Sequence, residues 1–278
     1  MKKIIVLIIA AAVIISGFSL YSLHEIRWEV GKTLQVKEGT SPQIKDSSIK
    51  IETIATGINE LTTFAFVGND ILYLEKINGD IRLIRDGQVS EKILHHFDVY
   101  KTTESGLLGI TTKDNLVYIY VSEPLDEEGK IPKANNIYEF LWTGDELVNK
   151  KLINTLPSRN CCHQGGYMVT SPNGEIFATI GDLENIRESG IPSKLQNNED
   201  GGVDDTSIIL RVGIDENTIS PMTSDDPFSH YYAIGIRNSF GLAFDPITGN
   251  LWDCLLYTSD SADERSSVDL GGRRIIKK

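Results

Sequence analysis

The chain has 278 residues, 40% of them hydrophobic and 24% charged, which excludes an intrinsically disordered protein. Lys and Arg number 27 against 39 Asp and Glu, a formal charge of −12. A surface this acidic repels phosphate backbones, which excludes nucleic acid as a partner and leaves neutral sugars and small cations compatible.

Met1-Lys2-Lys3 precedes an apolar run from Ile4 to Leu20, broken only by Ser16, Gly17 and Ser19. A basic start ahead of an apolar segment reads as an export signal, with a length near the lower limit for crossing a bilayer. Residues 1–23 are therefore predicted to be a signal peptide or an N-terminal membrane anchor; no A-x-A site decides between them. Either one places the body outside the cytoplasm, secreted or periplasmic. Residues 24–48 are polar with little periodicity and read as a tether.

From Ile49 onward short apolar runs alternate with Gly/Asn/Asp/Pro turns, and one hairpin unit recurs. It runs from Phe64 to Leu74, from Leu108 to Tyr120, from Tyr167 to Thr179 and from Gly241 to Trp252. Asn-Gly, Asp-Asn and Pro-Asn-Gly suit the turns because Asn and Gly tolerate positive φ. A repeat of ~45 residues or somewhat more is the period of a four-stranded propeller blade. Further strands are predicted at Ile81–Ile84 and Asn136–Phe140. The fold class predicted over 49–252 is all-β, a β-propeller in which hairpins bury their faces by stacking on one another.

Four segments stand apart from the repeat. Glu104-Ser105-Gly106-Leu107-Leu108-Gly109 is a tight loop running into a strand. Cys162-His163-Gln164-Gly165-Gly166 puts an imidazole, a natural base near neutral pH, beside glycines that let backbone approach a ligand. Ala178-Thr179-Ile180-Gly181-Asp182 ends a strand on a carboxylate that could orient an imidazole or simply form a turn. Gly235-Ile236-Arg237-Asn238-Ser239-Phe240-Gly241-Leu242 offers Arg-Asn to polar oxygens or ties a surface loop.

Together, and in this order, these segments resemble the soluble quinoprotein glucose dehydrogenases and aldose sugar dehydrogenases, also called glucose/sorbosone dehydrogenases. Ile209-Leu210-Arg211-Val212 and Asp226-Pro227-Phe228 add to the likeness, which covers roughly Ile49 to Trp252. The resemblance implies a six-bladed β-propeller, about four blades of it in this chain, that binds pyrroloquinoline quinone (PQQ) and Ca²⁺. It implies oxidation of an aldose sugar to its lactone, with hydride passing to the quinone and electrons to an extracytoplasmic acceptor. His163 would be the base, Asp182 the nearby carboxylate also lining the substrate pocket, and Glu104 a second pocket-lining group. Arg237 would stabilise charge on the quinone, with Asn238 beside it on the cofactor side. Four residues depart from the family pattern: Cys162 replaces Asp or Asn, Ser207-Ile208 replaces Gly-Lys, and Ile236 replaces a frequent His.

Other features remain open. The run Asn197 to Asp205 offers oxygens to Ca²⁺ without EF-hand spacing and reads as a solvated loop; the resemblance sets the calcium loop beyond Trp252. His95-His96, followed by Asp98, reads as a strand end, and no metal site is assigned. Adjacent Cys161 and Cys162 are either a vicinal disulfide, which an oxidising compartment permits, or two thiols. Residues 253–278 are predicted to be a non-native tail, because Cys254–Ser259 and Val268–Ile276 back-translate into sequence resembling sequencing-library adapter. A chain truncated in this way is expected to be inactive. The alternatives to an enzyme of this class are a non-catalytic extracytoplasmic propeller that binds a glycan or protein, and a propeller hydrolase such as a metal lactonase.

Overall fold

The computed structural model describes residues 46, 48–102, 104–160, 162–183, 205–213 and 230–255. The export segment, nearly all of the tether, most of the 197–205 run and the tail past Leu255 lie outside the described residues. Two units divide the chain, Met1–Thr53 and Ile54–Lys278. In the first, Asp46 Oδ1 accepts from the Ser48 N–H at 2.9 Å and its hydroxyl at 2.7 Å, closing a short turn. Among the described residues no helix is long and apolar enough to cross a membrane.

The described elements of the second unit are all β-strands, in four antiparallel sheets. The first holds β1 (Leu61–Val67), β2 (Asp70–Glu75), β3 (Asp80–Arg85), β4 (Gln88–Val89) and β5 (His95–His96), the last pairing with β3. The second runs β6 (Leu107–Lys113), β7 (Leu116–Pro124), β8 (Pro132–Trp142) and β9 (Leu147–Leu156). The third runs β10 (Met168–Thr170), β11 (Ile176–Ile180), β12 (Ile208–Arg211) and β13 (Tyr231–Ile234). The fourth is the hairpin of β14 (Ser239–Phe244) and β15 (Leu251–Leu255). Each predicted hairpin unit opens one sheet, and the two further strands predicted from sequence are β3 and part of β8. β15 also takes in Asp253, Cys254 and Leu255, which the sequence reading assigned to the tail.

Turn chemistry fixes the registers. Arg85 pairs with Gln88 across Asp86-Gly87, both left-handed at φ +50° and +73°, the backbone of a type I′ hairpin, for which Asp-Gly is well suited. Packing fixes the order of the sheets. β1 lies against β6, β6 against β10, and β10 against β14, so the leading strands of successive sheets are neighbours, as in a propeller. Leu72, Leu74 and Ile81 share a buried cluster with Ile110, Val117 and Phe140. Tyr120 and Ile137 join Ile180, Ile208 and Leu210, and Phe177 and Ile209 join Leu242 and Leu251. A middle sheet therefore buries both faces, which is why Val117–Val121 is a continuous apolar run rather than an alternating one. Each such aliphatic side chain contributes about 1.5–3 kcal/mol when fully buried.

Candidate active site

One end of the third sheet gathers the motifs. Antiparallel pairing brings the end of β11, the segments leading into β10 and β12, and the end of β13 to a common edge. The backbone ties them there. The Gly166 N–H donates to Thr179 O at 2.8 Å, the Ser207 N–H to Gly181 O at 2.9 Å, and the Asp182 N–H to Arg237 O at 3.0 Å. A Cβ on Gly181 would lie 2.5 Å from both the Arg237 and the His163 carbonyl oxygens. Glycine is therefore what lets three segments meet at this point.

His163 stands at the centre. Its Nδ1 is 2.5 Å from Asp182 Oδ1, with the imidazole 7% exposed and the carboxylate side chain fully buried. The carboxylate accepts a hydrogen bond from Nδ1–H, so the neutral ring is assigned the tautomer that leaves the Nε2 lone pair available. The His163 backbone N–H donates to Glu104 Oε2 at 2.6 Å, and Asn238 Nδ2 reaches the same oxygen at 3.5 Å. The structure thus joins His163, Asp182, Glu104 and Asn238 through side chains. Arg237, half-buried, joins through its carbonyl. Burial pushes the Lys76 ammonium down, while Glu104 and then Glu60 push it back up.

Backbone strain collects at this edge. His163, Leu183, Asp205 and Ser207 are left-handed at φ +56°, +54°, +57° and +57°, a region non-glycine residues rarely adopt. Ser207, where the family resemblance sets a glycine, keeps the glycine-type backbone. Its Oγ is buried without a hydrogen-bond partner among the described residues.

Sequence reasoning missed the anchor of the His163 loop. Gln164 was only a spacer between His163 and the glycines, yet it is fully buried. Its Oε1 accepts from Asn135 Nδ2 at 2.8 Å and Ser158 Oγ at 3.1 Å, and its Nε2 donates to Arg159 O at 2.8 Å. Tyr120 donates its hydroxyl proton to Gln164 O at 2.9 Å, and Ser122 Oγ donates to Asn135 Oδ1 at 2.6 Å. The available signal was Asn135-Asn136 inside the apolar strand β8, since amides in a core strand need partners.

The remaining candidates lie elsewhere. His95-His96 forms β5 against β3, and no group of three His, Cys, Asp or Glu among the described residues could hold a metal ion. Cys162 is disulfide-bonded and Cys254 is a free thiol; Cys161 lies outside the described residues. An open cleft of about 590 Å³ is lined by Glu60, Leu61, Lys76, Ile77, Lys101 and Thr102. None of the His163 group lines it, so the buried imidazole–carboxylate pair defines the site.

Fold and site together define a β-propeller with a buried imidazole–carboxylate pair set among the loops at one end of its sheets. The Glucose / Sorbosone dehydrogenase family matches residues 59–255, and the chain belongs to that family. Among solved structures it is similar to an oxidoreductase (glucose dehydrogenase) from Thermus thermophilus, at 25% identity and a TM-score of 0.55 over 73% of this chain and 60% of that one. It also resembles the PQQ-bound aldose sugar dehydrogenase of Streptomyces coelicolor, at 23% identity and a TM-score of 0.52 over 73% of this chain and 58% of that one. An uncharacterised protein of Synechocystis sp. is 21% identical across 82% of this chain and 59% of its own length. The chain thus spans about three fifths of the length of these relatives.

Proposed function

We propose that the protein oxidises an aldose sugar to its lactone, with PQQ as hydride acceptor, outside the cytoplasm. The observation that carries this reading is the buried bond between His163 Nδ1 and Asp182, inside the segments that match a sugar dehydrogenase family. The donor set suits the cofactor: Arg237 offers a cation and Asn238 a buried amide to carboxylate and quinone oxygens. PQQ would supply, when bound, the two-electron acceptor for the hydride. For Ca²⁺ the described residues contain no ligand cluster, so calcium rests on the family resemblance alone and no step is assigned to it.

In this reading His163 Nε2 accepts the proton of the anomeric hydroxyl. Asp182 holds the ring in the accepting tautomer and stabilises the imidazolium that forms. The burial of the pair excludes water and strengthens that interaction. Support for export comes from the basic start Met1-Lys2-Lys3 ahead of the apolar run from Ile4 to Leu20.

The test is a dye-reduction assay on protein expressed from the source gene, with PQQ and Ca²⁺ added against a panel of aldoses. Sugar-dependent reduction that requires PQQ is the expected outcome. Sugar or glycan binding without any electron transfer would replace the enzyme with a binding propeller.

A further inference from the structure

We propose that Glu104 is a positioning residue for the base: its carboxylate binds the His163 backbone and holds the loop in which the imidazole meets Asp182. The inference rests on the sugar dehydrogenase reading for its kinetic consequence, but its geometry does not. A residue that only lined the substrate pocket would need no contact with the His163 main chain. Glu104 Oε2 instead accepts the His163 N–H at 2.6 Å, a charge-assisted bond between residues 59 apart in sequence.

That bond matters because of where it falls. His163 is left-handed at φ +56°, a conformation a non-glycine residue keeps only when its surroundings over-determine it. Asp182 fixes the side chain from one direction and Glu104 fixes the backbone from another. Asn238 Nδ2 approaches the same Glu104 oxygen at 3.5 Å, across a separation of 134 residues. The carboxylate is thus shared by the segments that lead into β6, β10 and β14. A fourth element closes on it from the first sheet. The Leu107 N–H donates to Lys76 O at 2.9 Å, and a Cβ on Gly106 would lie 2.5 Å from that oxygen. The Glu104 loop is therefore seated against the β2–β3 turn, with the half-buried Lys76 ammonium electrostatically coupled to the carboxylate.

The experiment compares Glu104→Ala with Glu104→Gln, which keeps an acceptor oxygen for the His163 N–H. In the dye assay, Glu104→Ala is expected to lower kcat on the order of 10²-fold, the cost of misplacing a reacting group. KM should move by less than about threefold, because a ground-state contact is not what is lost. Glu104→Gln should restore most of the lost kcat. The second readout needs neither cofactor nor sugar: the His163 amide proton, observed by NMR in the unloaded protein. It should be downfield and slow to exchange in the wild type, and should move upfield and exchange faster in both variants, more so in Ala than in Gln. A raised KM with kcat retained in Glu104→Ala would make Glu104 a substrate contact and overturn the proposal. An amide proton indifferent to both substitutions would overturn it equally, and if Glu104→Ala does not fold, the Gln variant decides by the same measurement. Should the wild type oxidise no aldose while its amide proton responds as stated, the functional reading fails and the Glu104 contact stands.

Discussion

Two histidines of this molecule, one in a loop and one on a strand, have surroundings that give them opposite characters. His163 lies among loops with its Nδ1 on a buried carboxylate 2.5 Å away. His95 lies on β5 with its ring against Phe97 and Phe140, at centroid distances of 4.7 and 4.9 Å. Its Nε2 is buried with no hydrogen-bond partner among the described residues. Burial, then the nearby Lys150 and His96, push the His95 imidazole down to about 4. One ring is oriented by its bond to a buried carboxylate; the other is kept neutral and serves as an aromatic packing group. Histidine chemistry is set by the neighbouring carboxylate rather than by burial alone.

Replacing each ring with an amide is the strongest test of that contrast. His163→Gln should cut turnover by about 10²–10⁴-fold, the usual contribution of a general base. His95→Gln should leave turnover near that of the wild type and show its effect only in thermal stability. Steady-state kinetics and melting curves on both variants check this, and near-normal turnover in His163→Gln would remove the base assignment.

A smaller effect separates the anchor of the His163 loop from His163 itself. Asn135 is fully buried and bonds Gln164 Oε1, Pro157 O and the Ser122 hydroxyl. Asn135→Ala leaves those partners short of a bond, at a cost of about 1–3 kcal/mol. Denaturant unfolding should register that loss. The equivalent truncation of Asn136, whose amide faces Glu123 at 2.9 Å toward a partly exposed surface, should cost less.

The contrast also marks how far the sequence could be read. The blade hairpins were legible because their signals are local: short apolar runs alternating with Asn-Gly, Asp-Asn and Pro-Asn-Gly turns. His163 and Asp182 were legible because the glycines beside them advertise close backbone approach, and Gly181 does meet two carbonyl oxygens. The Glu104 to His163 bond was not legible, since nothing local links residues 59 apart; only sheet stacking brings them together. Gln164 was passed over because polar residues are usually exposed, and its burial depends on Asn135 and Tyr120 arriving from another sheet. The departure at Ser207 gave no warning that a serine would keep a glycine-like backbone at φ +57°.

The smallest predicted effect is a pH dependence that belongs to His95. Its imidazole titrates near 6.5 in the unfolded chain and at about 4 in the folded one. Between those values the unfolded chain binds the extra proton, so stability rises with pH across the window and is lost as pH falls from 6.5 toward 4. Lys150, whose ammonium lies 4.1 Å from the Phe97 ring centroid and 4.3 Å from that of Tyr138, opposes any charge on the histidine and reinforces the sign. His95 is only half-buried, so solvent reduces the loss to about 1 kcal/mol. Other carboxylates and histidines titrate in the same range, which makes the difference between two proteins the useful quantity. His95→Phe keeps an aromatic ring against Phe97 and Phe140 and removes the titrating group. Melting temperatures taken from pH 7 to pH 4.5 should fall less steeply for that variant than for the wild type. Parallel slopes would mean that His95 takes up a proton at its ordinary value, and that its packing between the two phenylalanines does not hold it neutral.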